Sequence, residues 1–150
     1  MSDLPLSVLI VEDNEGDVRL IENGLDESDV PIEPTVVTDG EAALDRLLDP
    51  PADAKPDLLL LDLNIPKRTG RDVLAALQAA SASCPMPTLV LSGSRSDEHI
   101  RETLALGADG YAVKPVDPQE FISLIGSVVR SVADSGTVPP GEHAEIESPT

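Results

Sequence analysis

The chain holds 150 residues, 41% of them hydrophobic, which is enough for one compact domain with a sizeable core. Tyr111 and Phe121 are the only aromatic residues, so that core must be aliphatic. Against 10 Lys and Arg stand 28 Asp and Glu, a formal net charge of −18. Such a surface repels phosphate backbones and anionic lipid and excludes nucleic acid and membrane as direct partners.

No apolar run approaches the ~18 residues of a membrane span. The N-terminus, Met1-Ser2-Asp3-Leu4-Pro5, lacks the basic region and apolar stretch of a signal peptide, so a cytoplasmic location is expected. Cys84 is the only cysteine, which excludes internal disulfides and thiolate zinc clusters. Lys occurs only at 55, 67 and 114, while carboxylates lie on every predicted helix. The composition is expected of a halophilic protein, whose self-repulsion molar salt would screen; the alternative is an ordinary soluble acidic protein.

Along the chain, apolar runs alternate with helical patterns. Leu6 to Val11 reads as a buried strand ended by charge, and from about Glu15 the residues Val18, Ile21 and Leu25 recur at helical spacing. Ile32 to Val37 is a second strand, which Pro31 and Pro34 assign to a sheet edge. A helix over Gly40 to Leu48 is followed by a loop at Asp49-Pro50-Pro51-Ala52-Asp53. Leu58 to Leu61, stopping at Asp62, is the most apolar run and reads as a central strand buried on both faces. Gly70 precedes a helix carrying Val73, Leu74 and Leu77, and Thr88 to Leu91 is a fourth strand ended by Ser92-Gly93-Ser94. A helix from about Asp97 to Leu106, a short strand from Gly110 to Val113, and a helix marked by Phe121, Ile125, Val128, Val129 and Val132 complete the order. These elements specify an α/β fold: a doubly wound, five-stranded parallel sheet of flavodoxin-like order 2-1-3-4-5, with helices on both faces. The folded domain is expected over residues 1–132, with 133–150 an acidic, disordered tail.

In such a sheet, ligands bind beyond the carboxyl ends of the strands, where the order reverses between strands one and three. Glu12, Asp13 and Asp62 stand there. Three clustered carboxylates raise one another's pKa unless a cation neutralises them, and a hard, oxygen-liganded ion with several waters favours Mg2+ over Ca2+. The other strand ends add the Ser92 hydroxyl and the Lys114 ammonium. Together these groups suit a transferred phosphoryl group, with Asp62 as nucleophile forming an aspartyl phosphate.

Val11-Glu12-Asp13-Asn14, Leu60-Leu61-Asp62-Leu63-Asn64-Ile65-Pro66 with Gly70, Leu91-Ser92-Gly93, and Gly107-Ala108-Asp109-Gly110-Tyr111 with Lys114-Pro115 resemble the receiver domain of two-component response regulators, from about Leu6 to Val132. The resemblance implies that Asp62 accepts a phosphoryl group from a sensor histidine kinase. It implies that Glu12, Asp13 and Asp62 hold Mg2+ with the backbone carbonyl of Asn64, that Lys114 pairs with the phosphoryl group, and that the Lys114–Pro115 bond is cis. Ser92 and Tyr111 would form the switch, the hydroxyl drawing its loop inward and the ring turning toward the vacated space. Asn64 and Ser94 would flank the attack path. Ser92 departs from the family's frequent threonine, and without the methyl its rotamer is less restricted. Glu12-Asp13-Asn14 followed by Asp17-Val18-Arg19-Leu20-Ile21 is similar to the small single-domain regulators found beside phytochrome-type sensor kinases.

The function expected is that of a single-domain signalling switch, not an enzyme, whose output passes through an unidentified downstream protein. Phe121, Ile122, Leu124, Ile125, Val128, Val129 and Val132 form a stripe wider than one core contact needs, which points to a partner or a homodimer through the helix-four to helix-five face; the alternative is a wide core-facing stripe. Cys84 reads as a structural thiol, and His99 and His143 sit in no ligand pattern. Two other functions compete. A Mg2+-dependent aspartyl-nucleophile phosphohydrolase needs an acid two residues after its nucleophile, where Asn64 stands. A receiver-like module that never takes phosphate would have no use for Asp13, Asp62, Ser92 and Lys114 together.

Overall fold

The computed structural model describes residues 5–48, 56–80 and 86–138. Cys84, His143 and most of the acidic tail lie outside the described residues, as does the whole of the loop expected at Asp49-Pro50-Pro51-Ala52-Asp53. The strands are β1 (Leu6–Val11), β2 (Ile32–Val37), β3 (Leu58–Asp62), β4 (Thr88–Ser92) and β5 (Gly110–Val113). The helices are α1 (Glu15–Glu27), α2 (Gly40–Leu48), α3 (Gly70–Ala79), α4 (Asp97–Ala105) and α5 (Pro118–Ser135). The sheet runs β2-β1-β3-β4-β5, and all four pairings are parallel, as the sequence predicts.

Side chains alternate across each strand, so each apolar run supplies both faces of the sheet. Leu9, Val11, Leu59 and Leu61 pack with Leu44, Val73 and Ile100 from α2, α3 and α4. Val8, Ile10, Leu58 and Leu60 pack with Ile21 and Leu25 of α1 and with Phe121, Ile125 and Val129 of α5. Every residue of β3 and β4 is buried, whereas β2, carrying Pro34, is only partly so at its edge.

The last helix departs from two expectations. Its apolar pattern stops at Val132, yet the helix continues to Ser135 and ends where Gly136 takes a left-handed conformation (φ 74°) and returns its amide to the Val132 carbonyl. The apolar stripe is not surplus either. Phe121, Ile122, Ile125, Val128, Val129 and Val132 are all buried within the chain itself, and Leu124 is partly buried against the same core. They serve the sheet and α1 at once, because Gly24 lets the two helices touch: a Cβ there would lie 2.5 Å from the Ile125 Cβ. The stripe's width therefore gives no argument for a homodimer.

Candidate functional site

The register of the sheet brings the acidic residues together. Val11 pairs with Leu61, so Glu12, just past the end of β1, comes beside Asp62, the last residue of β3. Glu12 is 1% exposed and Asp62 5%, whereas Asp13 is open to solvent. Carboxylate oxygens of Glu12, Asp13 and Asp62 lie within 4.8 Å of one another. The loop after Asp62 is held close by two features. The Asn64 amide donates to Asp62 Oδ1 at 3.1 Å, and Gly70 packs where any Cβ would lie 2.6 Å from the Asp62 carbonyl oxygen.

Lys114 enters from the end of β5, where its backbone N–H donates a hydrogen bond to the Ser92 carbonyl at 2.8 Å. Its ammonium donates to Glu12 Oε1 at 2.9 Å, to Asp62 Oδ2 at 3.1 Å and to Asp17 Oδ2 at 2.8 Å. One cation thus faces a surplus of carboxylates, and the charges of the site respond. Burial, aided by Asp62 and opposed by Lys114, raises the Glu12 carboxyl from 4.5 to about 7. Burial works the other way on Lys114, but its bonds to Asp17 and Glu12 and the charges of Asp62 and Glu12 outweigh it and hold the ammonium above its ordinary value. A buried carboxylate is costly to keep ionised, and a cation bound beside it would offset that cost. Its donors are oxygens only, which fits a hard divalent cation.

Ser92 is buried at the end of β4, one residue beyond the Asp62–Leu91 pair. Its hydroxyl oxygen accepts from the Ser94 amide at 3.1 Å, which leaves the hydroxyl hydrogen to donate elsewhere. Ser94 in turn accepts at its carbonyl from the Tyr111 hydroxyl, at 2.8 Å. The Tyr111 ring is 1% exposed and lies inside in this conformation. The Ser94 hydroxyl is bound within its own loop, to His99 Nδ1 at 2.9 Å and to the Ser96 amide at 3.1 Å. The Lys114–Pro115 bond is trans, contrary to expectation, since the described residues contain no cis peptide bond. Trans is the lower-energy isomer of an X-Pro bond by a small margin.

Residues 8–126 match the response regulator receiver domain family. The chain belongs to that family. The receiver is 28% identical over 141 residues to response regulator Rcp1 of Synechocystis, an alignment that covers 92% of this chain and 96% of Rcp1. Among solved structures, the phosphorylated cyanobacterial phytochrome response regulator RcpA superposes with a TM-score of 0.81 at 32% identity, covering 91% of this chain and 99% of RcpA. The Mn2+-bound form of Rcp1 superposes with a TM-score of 0.80 at 28% identity, covering 90% and 99%. Receiver domains bind Mg2+ at an acidic pocket, and phosphorylation of an aspartate by a kinase is their expected function. They are generally signalling proteins and not enzymes. No described helix is long and apolar enough to cross a membrane.

Asp17 and His99 are the members of this arrangement whose contacts the sequence did not reveal. Asp17 sits three residues after the N-cap Asn14, a spacing that reads as a capping box closing on the helix itself. Only the fold brings it to Lys114.

Proposed function

We propose that Asp62 is the phosphoacceptor, that Glu12, Asp13 and Asp62 hold Mg2+ with the backbone carbonyl of Asn64, and that Lys114 and Ser92 bind the phosphoryl oxygens. The observation that carries this reading is the bond from Lys114 to Asp62 Oδ2 at the end of the central strand, beside two further carboxylates of the same crevice. An Asp62 carboxylate oxygen attacks phosphorus as the bond to the donor breaks. The bonding pair leaves with the donor atom, which is the imidazole nitrogen of a phosphohistidine or the acetate oxygen of acetyl phosphate. When bound, Mg2+ would supply charge neutralisation for the phosphoryl oxygens. Lys114 supplies a second positive charge from the protein, already aimed at Asp62.

The response would pass through Ser92, Ser94 and Tyr111. Ser92 has its hydroxyl hydrogen available for a phosphoryl oxygen, and any shift of its oxygen pulls on the Ser94 amide. Ser94 carries that shift to Tyr111 through its carbonyl and to α4 through His99 and Ser96. The two states differ because only one has a phosphoryl oxygen to hold Ser92, which is the differential interaction a switch needs. RcpA is a phytochrome response regulator, and the likeness to it supports a phytochrome-type sensor histidine kinase as the cytoplasmic donor, with a downstream protein reading the altered loop.

Incubation with acetyl phosphate and Mg2+, followed by intact-protein mass spectrometry, tests the assignment. Wild type should gain one phosphoryl group and Asp62→Asn none. An adduct that persists in Asp62→Asn, or no adduct on wild type, overturns it.

A further inference from the structure

We infer that Asp17 is a positioning residue for phosphoryl transfer, holding the Lys114 ammonium in place while Asp62 changes from carboxylate to acyl phosphate. The inference rests on the assignment of Asp62 as phosphoacceptor. A lysine ammonium has three N–H donors, and here Glu12, Asp17 and Asp62 take them, at 2.9, 2.8 and 3.1 Å. Two of these partners are committed to other events. Asp62 gives up a carboxylate oxygen to the new P–O bond, and Glu12 belongs with Asp13 and Asp62 to the trio whose oxygens a divalent cation would share. Asp17 stands outside that trio. It is the one partner of Lys114 that need not change during the reaction.

The start of α1 shows that Asp17 is diverted to this contact. In α3, Thr69 and the acid three residues later close a full capping box: the Asp72 amide donates to Thr69 Oγ1 and the Thr69 amide to Asp72 Oδ2, both at 3.1 Å. In α1 the first half is present, with the Asp17 amide donating to Asn14 Oδ1 at 2.9 Å. The second half is not, because the Asn14 amide donates to Glu12 Oε2 at 3.1 Å and the Asp17 carboxylate turns to Lys114. The anchor is also firmly mounted, since α1 is locked to α5 by the close approach of Gly24 and Ile125. A four-carbon side chain reaching in from β5 is thus held at its tip by an element that plays no part in the chemistry.

The test compares wild type, Asp17→Asn and Asp17→Glu, each checked for folding by circular dichroism. It uses Mg2+ titration alone, titration with fluoroberyllate in saturating Mg2+ as a phosphoryl mimic, and the rate of phosphorylation by acetyl phosphate. Asp17→Asn should weaken fluoroberyllate binding and slow phosphorylation by about ten-fold each, the scale typical of a lost supporting partner. Asp17→Glu should recover most of both. Mg2+ affinity alone should change much less. If Asp17→Asn matches wild type, if Asp17→Glu fails to recover, or if the whole loss already appears in Mg2+ affinity, the positioning role is overturned. Wild type that binds neither fluoroberyllate nor phosphoryl would instead overturn the assignment of Asp62, and this inference with it.

Discussion

Glu12 makes the cost of the crevice measurable. Its carboxyl, 1% exposed, is raised from 4.5 to about 7, first by burial and then by Asp62. Between those values the folded chain keeps a proton on Glu12 that the unfolded chain has released. The stabilisation from the raised carboxyl is complete below pH 4.5 and is lost as pH climbs through 7, so the Mg2+-free protein weakens across this window. At about 1.4 kcal/mol per pH unit the gap amounts to about 3 kcal/mol. Lys114, also raised, stays charged throughout and adds no slope. Glu12→Gln places a permanently neutral group at the same position. Urea unfolding of the two proteins in chelator, followed by far-UV circular dichroism from about pH 5 to about pH 8, isolates the effect, because surface carboxylates cancel in the difference. The curves should meet near the acid end, and the variant should be the more stable by about 3 kcal/mol by about pH 7.5. Saturating Mg2+ should close the gap, since the bound cation holds Glu12 ionised. Parallel curves would refute burial as the cause, and a gap that widens toward acid would refute the sign.

Three further outcomes follow from the packing and charge. Gly24→Ala should destabilise the chain by about 1–3 kcal/mol, because forcing α1 and α5 apart outweighs the ~1 kcal/mol gain in helix propensity; thermal and urea unfolding would show it. Tyr111→Phe deletes the bond to the Ser94 carbonyl and should cost about 1 kcal/mol in urea unfolding, while broadening or shifting the amide resonances of the β4–α4 loop. With a net charge of −18, the unfolding midpoint should rise between dilute buffer and molar KCl, and a flat midpoint would remove the halophilic reading.

Strands and strand order were legible because each signal is local and carries one meaning. Leu58 to Leu61 is too apolar for an edge, Pro34 confines its strand to one, and a charged residue ends β1 and β3 where each leaves the core. The end of α5 was not legible in this way. Ala133, Asp134 and Ser135 bury little and yet remain helical, and the stop is set by a backbone conformation at Gly136 that hydrophobic periodicity does not report. The width of the α5 stripe was ambiguous for a related reason. A helix that packs on a sheet and on a neighbouring helix needs as broad an apolar face as one that packs on a sheet and a partner, and only the contact at Gly24 distinguishes them.

The site divides along the same line. Residues at strand ends are placed by topology, so Glu12, Asp62, Ser92 and Lys114 could be brought together from the order of the strands alone. Asp17 lies on a helix turn and meets Lys114 across 97 residues of sequence, so its direction depends on a choice the sequence leaves open. It could have closed its own cap, as Asp72 does. What decides is the charge of the crevice: an ammonium that must serve Glu12 and Asp62 together still has one donor left, and the nearest free carboxylate is better used there than on a cap that Glu12 already fills. The remaining donor of the Lys114 ammonium is therefore what recruits Asp17. Lys114→Met removes that donor and should release the Asp17 carboxylate from the crevice, a change visible in the amide resonances of Asn14 and Asp17.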